Sequence, residues 1–328
     1  LLHTYIDSMA YREVTLTDID NVFCVIFTNV SLTEDQLSNL MISERNDLEE
    51  YHSYGEYYFE PTNEVKKFVQ SAQQDIVKKY NGGVMLTIGD SYTAYMNSVF
   101  SDFAEKHGLV QDNRGVASST IAGDLSGSVG YQPFWNRIDT VISEYTTGHS
   151  INEVTYNLED VKLITFMGGA NDWDTVNETT NRLGNGVNTT DKNTLYGALN
   201  YCFNALLKNF PNADIVCILQ PTNYVNTVPT TEGEAKNVGF ESLAQVQVMD
   251  DAQYSVYKMQ RKERIVRTMA EQYSIPVCDC CFEWFNPCNP NDAEKYWSSD
   301  KLHLNADGHH EIIDKLEKTV NNLPFNRN

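Results

Sequence analysis

Val84-Met85-Leu86-Thr87-Ile88-Gly89-Asp90-Ser91-Tyr92 is the stretch on which the fold turns. A run of large apolar side chains broken only by Thr87, with no polar alternation, reads as a strand buried on both faces. Gly89 ends it with the freedom for a tight turn. The residues that follow, as far as His107, carry a helical pattern. Ser91 is therefore placed at a strand-to-helix turn, with its backbone N–H at a helix start where negative charge is stabilised.

The same alternation repeats downstream. Residues 109–116 make a second strand, 161–167 a third, 214–219 a fourth and 275–278 a short fifth. Helical patterns lie between them at 194–209 and along 243–273, and a last helix carries Ile312, Ile313, Leu316 and Val320. Strands alternating with helices predict an α/β fold, a doubly wound parallel sheet covered on both faces. Such sheets hold their ligands beyond the carboxyl ends of the strands.

The chain has 328 residues, enough for about two domains or one large one. Residues 1–80 read differently from the rest, as a small accessory α+β region. They hold one strand-like run (21–30), a capping-box helix start at Ser31-Leu32-Thr33-Glu34, and a helical pattern from 63 to 80 stopped by Asn81-Gly82-Gly83. Residues 81–328 form the main domain. With 24 Lys+Arg against 45 Asp+Glu the formal charge is −21, which argues against nucleic acid or an anionic membrane surface as partner. No stretch has the length of a membrane span. The start, Leu1-Leu2-His3, shows no secretory signal and no initiator Met, so it reads as a processed form or a piece of something longer and leaves the compartment open.

Three short segments carry chemistry. Taken singly, Gly89-Asp90-Ser91 reads as an N-cap serine, Gly168-Gly169-Ala170-Asn171-Asp172 as a turn, and Asp300-Lys301-Leu302-His303 as a surface loop contact. Together they supply a hydroxyl, an amide and a carboxylate-oriented imidazole at predicted strand ends or in a loop before a helix.

In this order the segments resemble the blocks of the SGNH hydrolases, the GDSL esterase/lipase family, over residues from about 83 to 325. Gly89-Asp90-Ser91 is similar to the first block, Gly169-Ala170-Asn171-Asp172 to the Gly-x-Asn-Asp block, and Asp300-x-x-His303 to the last. The resemblance implies a three-layer, flavodoxin-like sheet and a serine esterase acting through an acyl-enzyme, with no metal and no cofactor. It implies Ser91 as nucleophile, His303 as general base and acid, and Asp300 as its orienting carboxylate. The oxyanion hole would be the N–H of Ser91, a backbone N–H around Ser118, and the side chain of Asn171. The family's remaining block has a glycine five residues after an asparagine; after Asn113 that position holds Ser118, with Gly115 as second candidate. The family spans lipids, thioesters and acetylated sugars. High acidity and the lack of an apolar membrane-binding segment favour a carbohydrate or other soluble ester here. Two rivals are a non-catalytic binding or structural module of a larger surface or particle-attached protein, and an acyltransferase.

Other signals point less far. The seven cysteines include Cys278, Cys280, Cys281 and Cys288, whose spacing suits buried thiols or one disulfide better than zinc. Adjacent His309 and His310 point apart on a helix. Tyr131, Phe134, Trp135 and Trp173 are candidates equally for substrate walls and for core. The polar segment 221–239 is long for a connection and is a candidate lining of the substrate entrance.

Overall fold

The computed structural model describes residues 80, 82–123, 132–172, 174–176, 180–223, 225–282 and 289–323. Apart from its last residue, Tyr80, the expected accessory region lies outside the described residues, as do Tyr131, Trp173 and Cys288.

Five parallel strands form one sheet: β1 (Val84–Gly89), β2 (Val110–Gly115), β5 (Val161–Met167), β6 (Asp214–Leu219) and β7 (Val277–Asp279), in the order β2-β1-β5-β6-β7. Two further strands, β3 (His149–Ile151) and β4 (Val154–Tyr156), make a separate antiparallel hairpin. Its turn residues, Asn152 and Glu153, both have positive φ (50° and 67°), as a two-residue hairpin turn requires. The helices are α1 (Ser91–Tyr95), α2 (Asn97–Lys106), α3 (Phe134–Thr147), α4 (Leu195–Asn209), α5 (Glu232–Asn237), α6 (Leu243–Val246), α7 (Asp251–Gln272), α8 (Pro290–Tyr296) and α9 (Ala306–Asn321).

The period-two geometry of a strand sorts the sheet's side chains into two cores. Val84, Leu86 and Ile88 of β1, with Ile215, Cys217 and Leu219 of β6, face a cluster completed by α3, α4 and α7. Met85 of β1 and Val216 and Ile218 of β6 face the opposite way, toward Phe100 and Phe103 of α2 and Ile312, Leu316 and Val320 of α9. The result is three layers, helices–sheet–helices, as the strand–helix alternation predicts. The long helical stretch 243–273 is divided in two. Asp250 caps α7 reciprocally with Gln253, and that capping box starts a new helix at a point where periodicity alone suggests continuation.

Strand order reverses between β1 and β5, because β2 lies on one side of β1 and β5 to β7 on the other. This is the switch point at which open α/β sheets leave a crevice beyond the strand ends.

On the α2/α9 side, fully buried His107 lies 2.9 Å from Glu317 Oε2, with Lys106 Nζ 3.2 Å from the other oxygen. Burial favours the neutral carboxyl, but His107 and Lys106 outweigh it and hold Glu317 down at about 2. Such a carboxylate contributes its full stability above its ordinary value of 4.5 and loses it as pH falls toward about 2. Glu317→Gln is expected to lower stability at neutral pH by about 1–2 kcal/mol and to flatten the acid limb of the stability curve. Urea midpoints measured from neutral pH into acid test this; curves of identical shape for the two proteins would remove the assigned contribution.

Candidate active site

Beyond the carboxyl end of β1 the chain turns through Gly89 and Asp90 into α1, whose first residue is Ser91. A side chain at Gly89 would collide with Thr93 Oγ1 and lie 2.7 Å from the Met167 carbonyl, so this turn admits only glycine. Asp90, completely buried, caps α1 by accepting the Tyr92 N–H at 3.0 Å. The Gln220 amide donates to both of its oxygens, at 2.9 and 2.8 Å. Burial raises Asp90 to about 6 in spite of the hydrogen bonds from Gln220 and Tyr92 that oppose the shift. From the other side, buried Arg137 of α3 donates to the Gly89 carbonyl at 2.9 Å and to the Arg114 carbonyl, joining the ends of β1 and β2. Burial lowers this guanidinium to about 10.

The second arm is the loop before α9. Asp300 Oδ1 accepts the backbone N–H groups of Leu302 and His303, each at 2.9 Å, and the Ser298 hydroxyl at 2.8 Å. Its Oδ2 lies 2.6 Å from His303 Nδ1. Burial works against the charge on Asp300, but these bonds from His303, Ser298 and Leu302 prevail and hold the carboxyl well below the usual range. The imidazole reaches across to β1, where Nε2 stands 2.9 Å from Ser91 Oγ. Tyr95 meets its ring edge-on, with centroids 4.7 Å apart, and Tyr92, whose hydroxyl donates to the Leu302 carbonyl, lies tilted against it.

The third arm follows β5. Gly169 has φ +136°, and Asn171 Nδ2 donates to the Ser119 carbonyl at 3.1 Å. Next to it, buried Asp172 accepts Ile121 N–H and Ala122 N–H, both at 2.8 Å, and burial raises its carboxyl to about 6. The β5 turn is thereby fastened to the turn after β2. In that turn Ser118 has φ 63°, in the left-handed region that glycine enters freely and L-residues only narrowly. The residue differs from the glycine of the family pattern, but the backbone conformation is one that a glycine would suit. Gly115 is the last residue of β2 and its N–H donates to Asn113 Oδ1 at 2.7 Å, so the second candidate has its donor engaged.

Ser91, His303 and Asp300 thus form one hydrogen-bonded line beyond β1, with the Ser118 turn following β2 on one side of that strand and Asn171 following β5 on the other. The remaining candidates separate. Phe134 is fully buried in the core against Phe166, with ring centroids 5.3 Å apart. Trp135 is half-buried beneath the Lys192 ammonium, 3.8 Å from its ring. Cys278, Cys280 and Cys281 are buried free thiols, the first two with sulfurs 3.9 Å apart. His309 and His310 lie near the start of α9, and among the described residues no group of three or more His, Cys, Asp or Glu is placed to hold a metal. The segment 221–239 starts at the site, where buried Asn223 hydrogen-bonds the Tyr92 hydroxyl. Its Thr227, Val228, Thr230 and Glu234, with Tyr254 of α7, line a cavity of about 320 Å³.

Sequence reasoning passed over Asp90, Arg137, Asp172, Gln220 and Lys262 as working parts. A signal for Lys262 was present. Ser255, Met259, Val266 and Met269 form the buried stripe of α7, and Lys262 falls on it, a charged residue where the helical period calls for an apolar one.

The family model described as GDSL-like Lipase/Acylhydrolase family matches residues 87–311. No curated protein sequence is detectably similar. Among solved structures, a protein from Lactobacillus plantarum is 22% identical, with 72% of this chain and 94% of that one covered and a TM-score of 0.48. A carbohydrate acetylesterase family member from Sinorhizobium meliloti is 13% identical (73% and 97% covered, TM-score 0.38). An inhibitor-bound aryl esterase from M. smegmatis is 12% identical (74% and 100% covered, TM-score 0.41). Among the described residues no helix is long and apolar enough to cross a membrane.

Proposed function

This chain belongs to the GDSL-like lipase/acylhydrolase family, and we propose that it is a serine esterase whose nucleophile is Ser91 and whose substrate is an acetylated carbohydrate or another soluble short-chain ester. The reading is carried by one observation, the continuous line Ser91 Oγ–His303 Nε2 (2.9 Å) and His303 Nδ1–Asp300 Oδ2 (2.6 Å).

In this reading the Asp300 carboxylate accepts a hydrogen bond from Nδ1–H, which fixes the tautomer and leaves the Nε2 lone pair for the Ser91 hydroxyl proton. As Oγ bonds to the ester carbonyl carbon, that proton passes to Nε2 and the carbonyl oxygen takes up negative charge. The Ser91 N–H, the N–H at Ser118 and the Asn171 amide are the donors for that oxygen. Asn171 has two amide hydrogens, and the bond to Ser119 uses one while holding the side chain in place. Imidazolium returns the proton to the departing alkoxide, and water then repeats the sequence to release the acid and free Ser91. The preference for a small, soluble acyl donor is supported by the acidic chain and by the exposure of Ser118 and Asp300 at the rim of the site.

The test is covalent. A fluorophosphonate probe should modify the protein stoichiometrically, and peptide mass mapping should place the adduct on Ser91. In parallel, acetate esters should be cleaved faster than octanoate esters of the same alcohol. An adduct elsewhere, or none on a folded sample, would remove Ser91 as nucleophile; faster cleavage of the longer chain would remove the substrate assignment.

A further inference from the structure

Helix α7 approaches the site from the α3/α4 side of the sheet and places Lys262 and Glu263, both buried, behind the turn that carries Asn171. Among the described residues Lys262 forms no ion pair. Its ammonium donates to the Ala170 carbonyl at 2.8 Å and to the Asp172 carbonyl at 3.1 Å, the carbonyls of the residues before and after Asn171. The N–H of Ala170 is held as well, by Gln220 Oε1 at 2.6 Å. Gln220 in turn takes its own backbone N–H to Glu263 Oε2 at 3.1 Å and its side-chain N–H groups to Asp90, beside Ser91. The backbone around Asn171 is therefore bound on both flanks by groups from α7 and the end of β6.

We propose that Lys262 is a positioning residue for Asn171, its ammonium bracketing the two flanking carbonyls and so fixing where the Asn171 amide meets the substrate oxygen. The physical case rests on what the contacts could otherwise be for. An ammonium removed from water is costly to bury, and neutral carbonyls repay that cost less well than a carboxylate would. Burial lowers the Lys262 pKa against the opposing pull of Asp174 and Asp172. A methionine would fill the same volume without that cost, so packing does not call for lysine. The contacts do accomplish something a methionine could not. They hold the carbonyls of both neighbours of Asn171 in one orientation, and a displacement of about 1 Å at an oxyanion donor is enough to cost up to about 10²-fold in rate.

Since the proposal rests on the esterase reading, its test is a double-mutant cycle with Ser91→Ala run alongside, following hydrolysis of 4-nitrophenyl acetate. With Asn171 present, Lys262→Met is expected to lower kcat by about 10- to 100-fold and to leave KM within about twofold. In the Asn171→Ala background the same change should cost no more than about twofold, because the group that Lys262 serves is gone. An equal loss in both backgrounds, or no loss in the first, overturns the assignment. Should Lys262→Met fail to fold, Lys262→Arg is taken through the same cycle and read by the same two criteria. If Ser91→Ala turns over as fast as wild type, the esterase reading itself falls. An inactive Ser91→Ala with an additive cycle removes only the role of Lys262.

Discussion

Ser91→Ala is expected to lower kcat for a simple acetate ester by about 10⁴- to 10⁶-fold while leaving the thermal midpoint close to that of wild type. The size follows from what remains. Without Oγ there is no atom to form the acyl bond, and the imidazole 2.9 Å away has no proton to collect. The Asn171 and backbone donors still polarise a bound carbonyl, so attack by water retains a residual rate above the uncatalysed one. Ser91 has little exposed surface and its hydroxyl bonds outward to His303, so the loss of one oxygen leaves the packing behind it, Asp90 and Gln220, unchanged. Adding His303→Ala to Ser91→Ala should cost almost nothing more, because the two groups act as one unit. Comparable turnover by wild type and Ser91→Ala, or multiplicative losses in the pair, would contradict the assignment.

Asn171→Ala should cost about 10²- to 10³-fold, in kcat rather than KM, since its amide faces charge that exists only as the tetrahedral intermediate forms. Part of the loss will come through the Ser119 carbonyl, which forfeits its donor at 3.1 Å and with it a tie between the two oxyanion turns. Asn171→Asp separates shape from charge. It keeps the size of the side chain but replaces a donor by an anion beside the developing oxyanion, so it should be at least as slow as the alanine variant. Steady-state kinetics on both, with kcat and KM resolved, decide the matter; a rise in KM at constant kcat would move Asn171 from transition-state stabilisation to ordinary substrate binding.

What could be read from the chain follows how each element is buried. β1, β5 and β6 lie between two helical layers, so their sequences are apolar runs that announce themselves. β2, written Val-Gln-Asp-Asn-Arg-Gly, is a half-buried edge strand, and its assignment leaned on its place between helical patterns more than on its composition. The β3–β4 hairpin went unread because strands of three residues are too short to display a period, and its turn pairs Asn152 with a glutamate in a conformation glutamate rarely adopts. The Ser91, Asn171 and Asp300/His303 segments were legible because each couples a turn-forming neighbourhood to a chemically distinctive side chain. Gln220 was not, since a single glutamine after a strand looks like a solvent-facing residue until the fold shows it behind the Asn171 turn. For Lys262 the buried stripe of α7 shows the position, but not the carbonyls that its ammonium holds.

The proposed acid–base pair, His303 and Asp300, is set mainly by hydrogen bonds among residues 298–303, with one long-range tie from the Tyr92 hydroxyl to the Leu302 carbonyl. Ser91, the proposed nucleophile, meets the pair across a separation of 212 residues. Closing the small loop costs little chain entropy, whereas closing the large one requires the first strand and the last helix to have found their common sheet. Hydrolytic competence is therefore a property of the finished topology, acquired with the last long-range docking and surrendered with the first loss of it.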